Sequence, residues 1–90
     1  MNNQKIILSS LALDLRRVAQ GYHRNSLKMA DRFLQEALKR KKEAQVLALK
    51  PYLQTLLTKI EELRFEKDLE SKAELAMMYS TLFQNAAIAD

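Results

Sequence analysis

Apolar residues recur along this chain at spacings of three and four, the period of a helix with one buried face. Ile7, Leu11, Leu15, Val18 and Tyr22 form the first such stripe, widened by Leu8, Ala12 and Ala19, and predict a helix over residues 4–20. Ser10, Asp14 and Arg17 fall on its outer side, and Gly21 is expected to close it as a left-handed C-cap. Asn25 or Ser26 then caps a second helix whose stripe is Met29, Ala30, Phe33, Leu34, Ala37 and Leu38, with Glu36 and Arg40 at a favourable i, i+4 spacing. This helix ends between Lys42 and Leu49, because Pro51 disfavours a helical Lys50 and suits the first position of the helix that follows.

The third helix, from Pro51, carries the cleanest period: Leu53, Leu56, Leu57, Ile60 and Leu63, with Glu61, Glu62 and Glu66 turned away. Left unbroken to Ala87 it would be about 55 Å long, well beyond the usual helix of a small domain. Ser71 and Glu74 have capping-box spacing, and Glu62, Glu66, Glu70 and Glu74 would form a ladder of like charges in a continuous helix. A break near residues 67–70 is therefore expected, with a fourth helix over 72–87 burying Leu75, Met78, Tyr79, Leu82, Phe83 and Ala86.

Gly21 and Pro51 are the only glycine and proline, which speaks against a β fold. Four helices with short connections give an all-α, antiparallel four-helix bundle in a single domain over residues 1–90. The alternative is three helices with a long last one, completed by dimerisation.

Composition adds that the chain should fold. It is 48% hydrophobic and 29% charged, far from the polar bias of disordered chains, yet 90 residues bury a modest core. The absence of Cys excludes disulfides and thiolate metal sites. The opening MNNQKIILSS is too short and polar for a signal peptide, and no apolar run is long enough to span a membrane, so the expected location is cytoplasmic.

Charge is lopsided. Residues 1–50 hold eleven Lys or Arg against four acids, and residues 51–90 hold four against seven. Antiparallel topology is expected to collect Lys5, Lys39, Arg40, Lys41, Lys42 and Lys50 at one end of the bundle, where a nucleic acid or an acidic partner could bind. Cations at a helix C-terminus also have a local explanation in the macrodipole. At the opposite end Arg16, Arg17, Arg24, Lys28 and Arg32 are expected to be neutralised by Glu61, Glu62, Glu66, Asp68 and Glu70.

Candidate chemistry is sparse. His23 is the only histidine, too few ligands for a transition-metal site, and no Glu-x-x-His pair or Gly-rich phosphate loop is present. Around Gly21 the pattern departs from helix-turn-helix proteins, with Arg17 where a small residue belongs and Arg16 and Gln20 at apolar positions. Arg17 and His23, with five residues between them, resemble the Arg-x(4 to 6)-His motif of HEPN-family RNases. That resemblance implies a helical bundle in which Arg17 and His23 serve RNA cleavage, usually across a dimer. It covers two residues, and Gly21 interrupts them.

The function expected from the sequence is therefore a non-enzymatic adaptor or regulator acting through protein contacts, without catalytic residues, metal or cofactor, and working as a homodimer. Ile6, Leu13 and Leu49 fall off the stripes and could mark its partner face, as could Met77, Met78, Tyr79 and Phe83. The second reading is nucleic-acid binding through the Lys39, Arg40, Lys41 and Lys42 end.

Overall fold

A computed structural model describes residues 3–89. It contains four helices: α1 (Asn3–His23), α2 (Leu27–Gln45), α3 (Pro51–Glu62) and α4 (Leu69–Ile88), with a 3-10 turn at Leu63–Phe65. They form an all-α antiparallel bundle in which α1 packs along both α2 and α4, while α3 closes the far side through Leu53, Leu56, Leu57 and Ile60. The long-last-helix alternative does not occur, because residues 66–68 leave the helical conformation between α3 and α4.

Gly21 does not end α1. It is buried inside the helix, which continues to His23. The left-handed residue is Asn25, at φ 54°. Around it the Ser26 N–H donates to the Gly21 carbonyl at 2.8 Å and the Asn25 N–H to the Tyr22 carbonyl at 3.2 Å, the two bonds of a Schellman closure. Gly21 is needed for a different reason: a Cβ there would lie 2.7 Å from the Ala30 nitrogen and 2.8 Å from its Cα. The first turn of α2 thus rests directly on the last turn of α1.

The same principle sets α4. Its buried residues are Ala73, Ala76, Tyr79, Ser80, Phe83 and Ala87, so the expected inward set is correct for Tyr79 and Phe83 but not for Met78 and Leu82, which are exposed. Small side chains at four of the six positions let α4 lie close against Ala12 and Ala19 of α1, and close approach gains more contact than burying the bulkier stripe. The Ser80 hydroxyl donates to the Ala12 carbonyl at 2.6 Å across this contact. At the end of α1 the Lys72 ammonium lies 5.0 Å from the centroid of the Tyr22 ring.

The connections have local causes. Pro51 occupies the first turn of α3, where the Leu53 and Gln54 amides bond the Lys50 carbonyl. Leu49, off the stripe in sequence, is buried and anchors the α2–α3 connection, which is further held by the Gln54 side chain donating to the Leu47 carbonyl at 3.2 Å. The expected Ser71–Glu74 capping box is not formed, since α4 starts earlier, with Asp68 as N-cap residue. The Ser71 hydroxyl donates to Asp68 Oδ2 at 2.7 Å and is the main cause of an Asp68 carboxyl below its ordinary range.

Gly21→Ala should destabilise the protein by about 1–3 kcal/mol in urea unfolding, because overpacking against Ala30 outweighs the gain of about 1 kcal/mol in helix propensity. Asn25→Gly, which relieves the left-handed backbone, should leave stability equal or slightly higher in the same assay.

Candidate interaction surfaces

Four consecutive helical residues point four ways, since each advances the helix by about 100°. The run Lys39, Arg40, Lys41 and Lys42 is accordingly dispersed around α2. Lys41 turns inward, is only 8% exposed, and places its ammonium 3.2 Å from Glu61 Oε1 on α3. Glu61 also receives Arg64 at 3.2 Å, and the bond from Lys41, followed by that from Arg64, holds its carboxyl below the usual range. Arg40 meets Glu43 at 3.2 Å, not the expected Glu36, and its Nε lies 4.0 Å from Asp14. Lys39 takes Glu36 at 3.7 Å. Lys42 is exposed and has no ion pair among the described residues.

Because Arg40 faces Asp14, the run stands beside the middle of α1, not at its beginning. Lys5 is exposed on the first turn of α1. Lys50 lines a small hollow with Gln4, Tyr52, Leu53, Ala86 and Ala89, where the starts of α1 and α3 meet the end of α4. The six cations are therefore split between this end and the flank of α2. The topology is as expected, but the packing of α3 on α2 brings Glu61 onto Lys41.

The arginines at the other end differ from expectation more sharply. None of Arg16, Arg17, Arg24, Lys28 and Arg32 forms an ion pair among the described residues. Two of them use an aromatic ring instead. The guanidinium groups of Arg17 and Arg32 lie 5.1 and 5.7 Å from the centroid of Phe33, one contributed by α1 and one by α2. His23 is exposed in the last turn of α1. It stands six positions beyond Arg17, about 9 Å along the axis and a third of a turn around it, so the two side chains leave the helix in different directions.

Asp14 is the one buried carboxylate among the described residues, and its Oδ2 has no hydrogen-bond partner. Burial raises its pKa, against the opposing pull of Arg40 and Arg17. No group of three or more His, Asp or Glu residues is arranged to hold a metal ion among the described residues.

One surface was only partly legible. Residues 6–13 of α1 and 75–88 of α4 contain no charged side chain, in a chain that is 29% charged. The fold sets these segments side by side, because Ala12 meets Ser80 and Gln4 lies near Ala89. On the outside they present Ile6, Leu13, Met78, Leu82 and Ile88, with Leu13 46% and Met78 48% exposed. Between the helices runs an open groove of about 250 Å³ lined by Ala12, Leu13, Arg16, Met77, Ser80, Thr81, Gln84 and Asn85. Ile6 and Leu13 stood out in sequence as off-stripe apolar residues, and Met78 belonged to a candidate partner surface. The readable signal for the rest was the pair of charge-free runs.

Comparison of the chain with protein-family models, curated proteins and solved structures returns no match. No helix among the described residues is long and apolar enough to cross a membrane.

The raised Asp14 pKa has a definite sign. The folded protein binds the proton more tightly than the unfolded chain, so this group lowers stability as pH rises from the ordinary aspartate range through its folded value. Asp14→Asn should therefore be the more stable protein in thermal unfolding at pH 7. Its advantage should vanish in acid below the ordinary aspartate pKa, where Asp14 is protonated in both states.

Proposed function

We propose that this protein is a non-enzymatic helical-bundle module that acts through protein contacts, using the α1–α4 face to pair with a second copy of itself. The observation that carries the reading is the uncharged face of α1 and α4, whose outward Ile, Leu and Met residues are not needed to complete the core. Interface centres are depleted in charge and enriched in Met and aromatic residues, with charged groups at the rim. Here Lys5 and Arg16 on α1 and Glu74 on α4 flank the uncharged segments.

The second copy is favoured by charge. With a net charge of +4, repulsion between two copies is least where they meet through few charges, and on this face Arg16 at the edge of the groove is the one cation. A two-fold axis through it sets each surface against its own image. Uncharged segments about 12 Å long on α1 and about 21 Å long on α4, each roughly 10 Å wide, offer roughly 300 Å² per copy in projection, the scale of weak, transient contacts, so pairing should depend on concentration in the micromolar range or above.

Sedimentation equilibrium at micromolar concentration and above should give a mass approaching twice the 10.4 kDa of the chain. Leu13→Glu places two like charges across the axis and should weaken the dimer by about a hundredfold or more while leaving helicity unchanged. A wild-type protein that stays monomeric through the micromolar range and above, or a Leu13→Glu protein that pairs as well as wild type, would refute the proposal.

A further inference from the structure

Arg17, Arg24, Lys28 and Arg32 lie along the last turns of α1, the α1–α2 turn and the first turns of α2, and none forms an ion pair among the described residues. The Schellman closure at Asn25 folds α2 back on α1, so that cations eight residues apart in sequence flank one tight turn. The most telling detail is Phe33. Two guanidinium groups from two different helices approach its single ring, within 5.1 and 5.7 Å of the centroid. The ring attracts each of them, but holding like charges together costs free energy that a bound anion would recover. Asp14 is close enough to feel Arg17, yet it is buried and lies against Arg40 as well.

A guanidinium packed by its flat face on an aromatic ring keeps its N–H edges free for a planar or tetrahedral oxyanion. Arg17 and Arg32 are held at the ring before any ligand arrives, which lowers the entropy cost of binding through them. The character of the surface then selects the anion. A protein partner needs an apolar anchor at the centre of its contact. Of the exposed large apolar residues, only Leu27 belongs to this part of the chain, and it is in helical register with the buried Leu34, away from Lys28 and Arg32. Cations gathered around one half-buried ring, with no cluster of exposed apolar side chains between them, suit a phosphodiester backbone, which is recognised mainly by charge.

We infer that the α1–α2 turn, through Arg17, Arg24, Lys28 and Arg32, is a binding site for the phosphate backbone of a nucleic acid. This is a different surface from the Lys39, Arg40, Lys41 and Lys42 run, three of whose members already have carboxylate partners. It adjoins the proposed dimer face only at Arg17, one turn after Leu13 on α1, while Arg24, Lys28 and Arg32 lie beyond the uncharged segments.

Fluorescence anisotropy with a labelled DNA duplex and a labelled oligo(dT) single strand tests the site and distinguishes the two backbone forms. The wild type should bind at least one probe in low salt, with affinity falling on a log–log salt plot at a slope of about −3 to −4, the value for four neutralised phosphates. Arg24→Gln, Lys28→Gln and Arg32→Gln together should lose at least about tenfold in affinity and flatten the slope to about −1. These exposed substitutions leave Arg17 on Phe33, and circular dichroism verifies that the fold persists. Lys39→Gln with Lys42→Gln should lose less than about threefold, because that pair lies off the site. The inference is overturned if wild type binds neither probe in low salt, or if the Lys39 and Lys42 pair costs as much as the turn substitutions. Binding of labelled poly-glutamate in place of either nucleic acid would overturn it in favour of an acidic polypeptide.

Discussion

The close approach of α1 to its two neighbours is the constraint on which the rest of this structure depends. At Gly21 the missing Cβ lets the Ala30 backbone rest on α1, and along α4 a face of Ala73, Ala76, Ser80 and Ala87 does the same against Ala12 and Ala19. Dispersion falls steeply with distance, so helices that meet through small residues gain contact over their whole length. The bulky groups then fill the space toward α3, where Leu15, Leu57, Ile60, Leu63 and Phe83 are fully buried. This arrangement also rotates α4 so that Met78 and Leu82 face outward. An exposed apolar surface is thus a consequence of tight packing on the other side of the same helix.

Charge follows the packing. Bringing α3 to α2 sets Glu61 on Lys41, and setting α2 on α1 leaves Asp14 beside Arg40, so the cations in the second half of α2 are largely satisfied within the bundle. Those around the α1–α2 turn have no such partner, because the acidic residues of the α3–α4 connection turn to their own segment: Glu66 accepts the Asp68 amide and Asp68 accepts the Ser71 hydroxyl. Net charge alone would not locate the unneutralised positive potential. Its place is decided by which carboxylates are already occupied.

The two proposals rest on these two features: the uncharged surface along α1 and α4 for a second copy, and the cationic one at the α1–α2 turn for a phosphate backbone. A two-fold dimer would present the cationic surface twice, and two linked sites on one polyanion bind more tightly than one through effective concentration. Protein contact and nucleic-acid contact, which compete as readings of the sequence, are compatible as proposals on this fold, because Arg24, Lys28 and Arg32 lie beyond the uncharged segments.

Much of this architecture is legible in the chain itself. The 3.6-residue apolar period, the single Pro and the like-charge ladder toward α4 determine four helices and their order, since these are local properties of backbone and side chain. Pro51 marks the start of α3 for the same reason. The roles of Gly21, Leu49, Ser80, Met78 and Leu82 were decided only by tertiary structure. Periodicity says that a helix has an apolar face but not how close its neighbour comes. Where Ala and Ser permit close approach, the face actually buried differs from the most hydrophobic one. The partners of Lys41 and Asp14, and the stacking of Arg17 and Arg32 on Phe33, likewise required the fold, because charges twenty residues apart in sequence meet only when helices are docked.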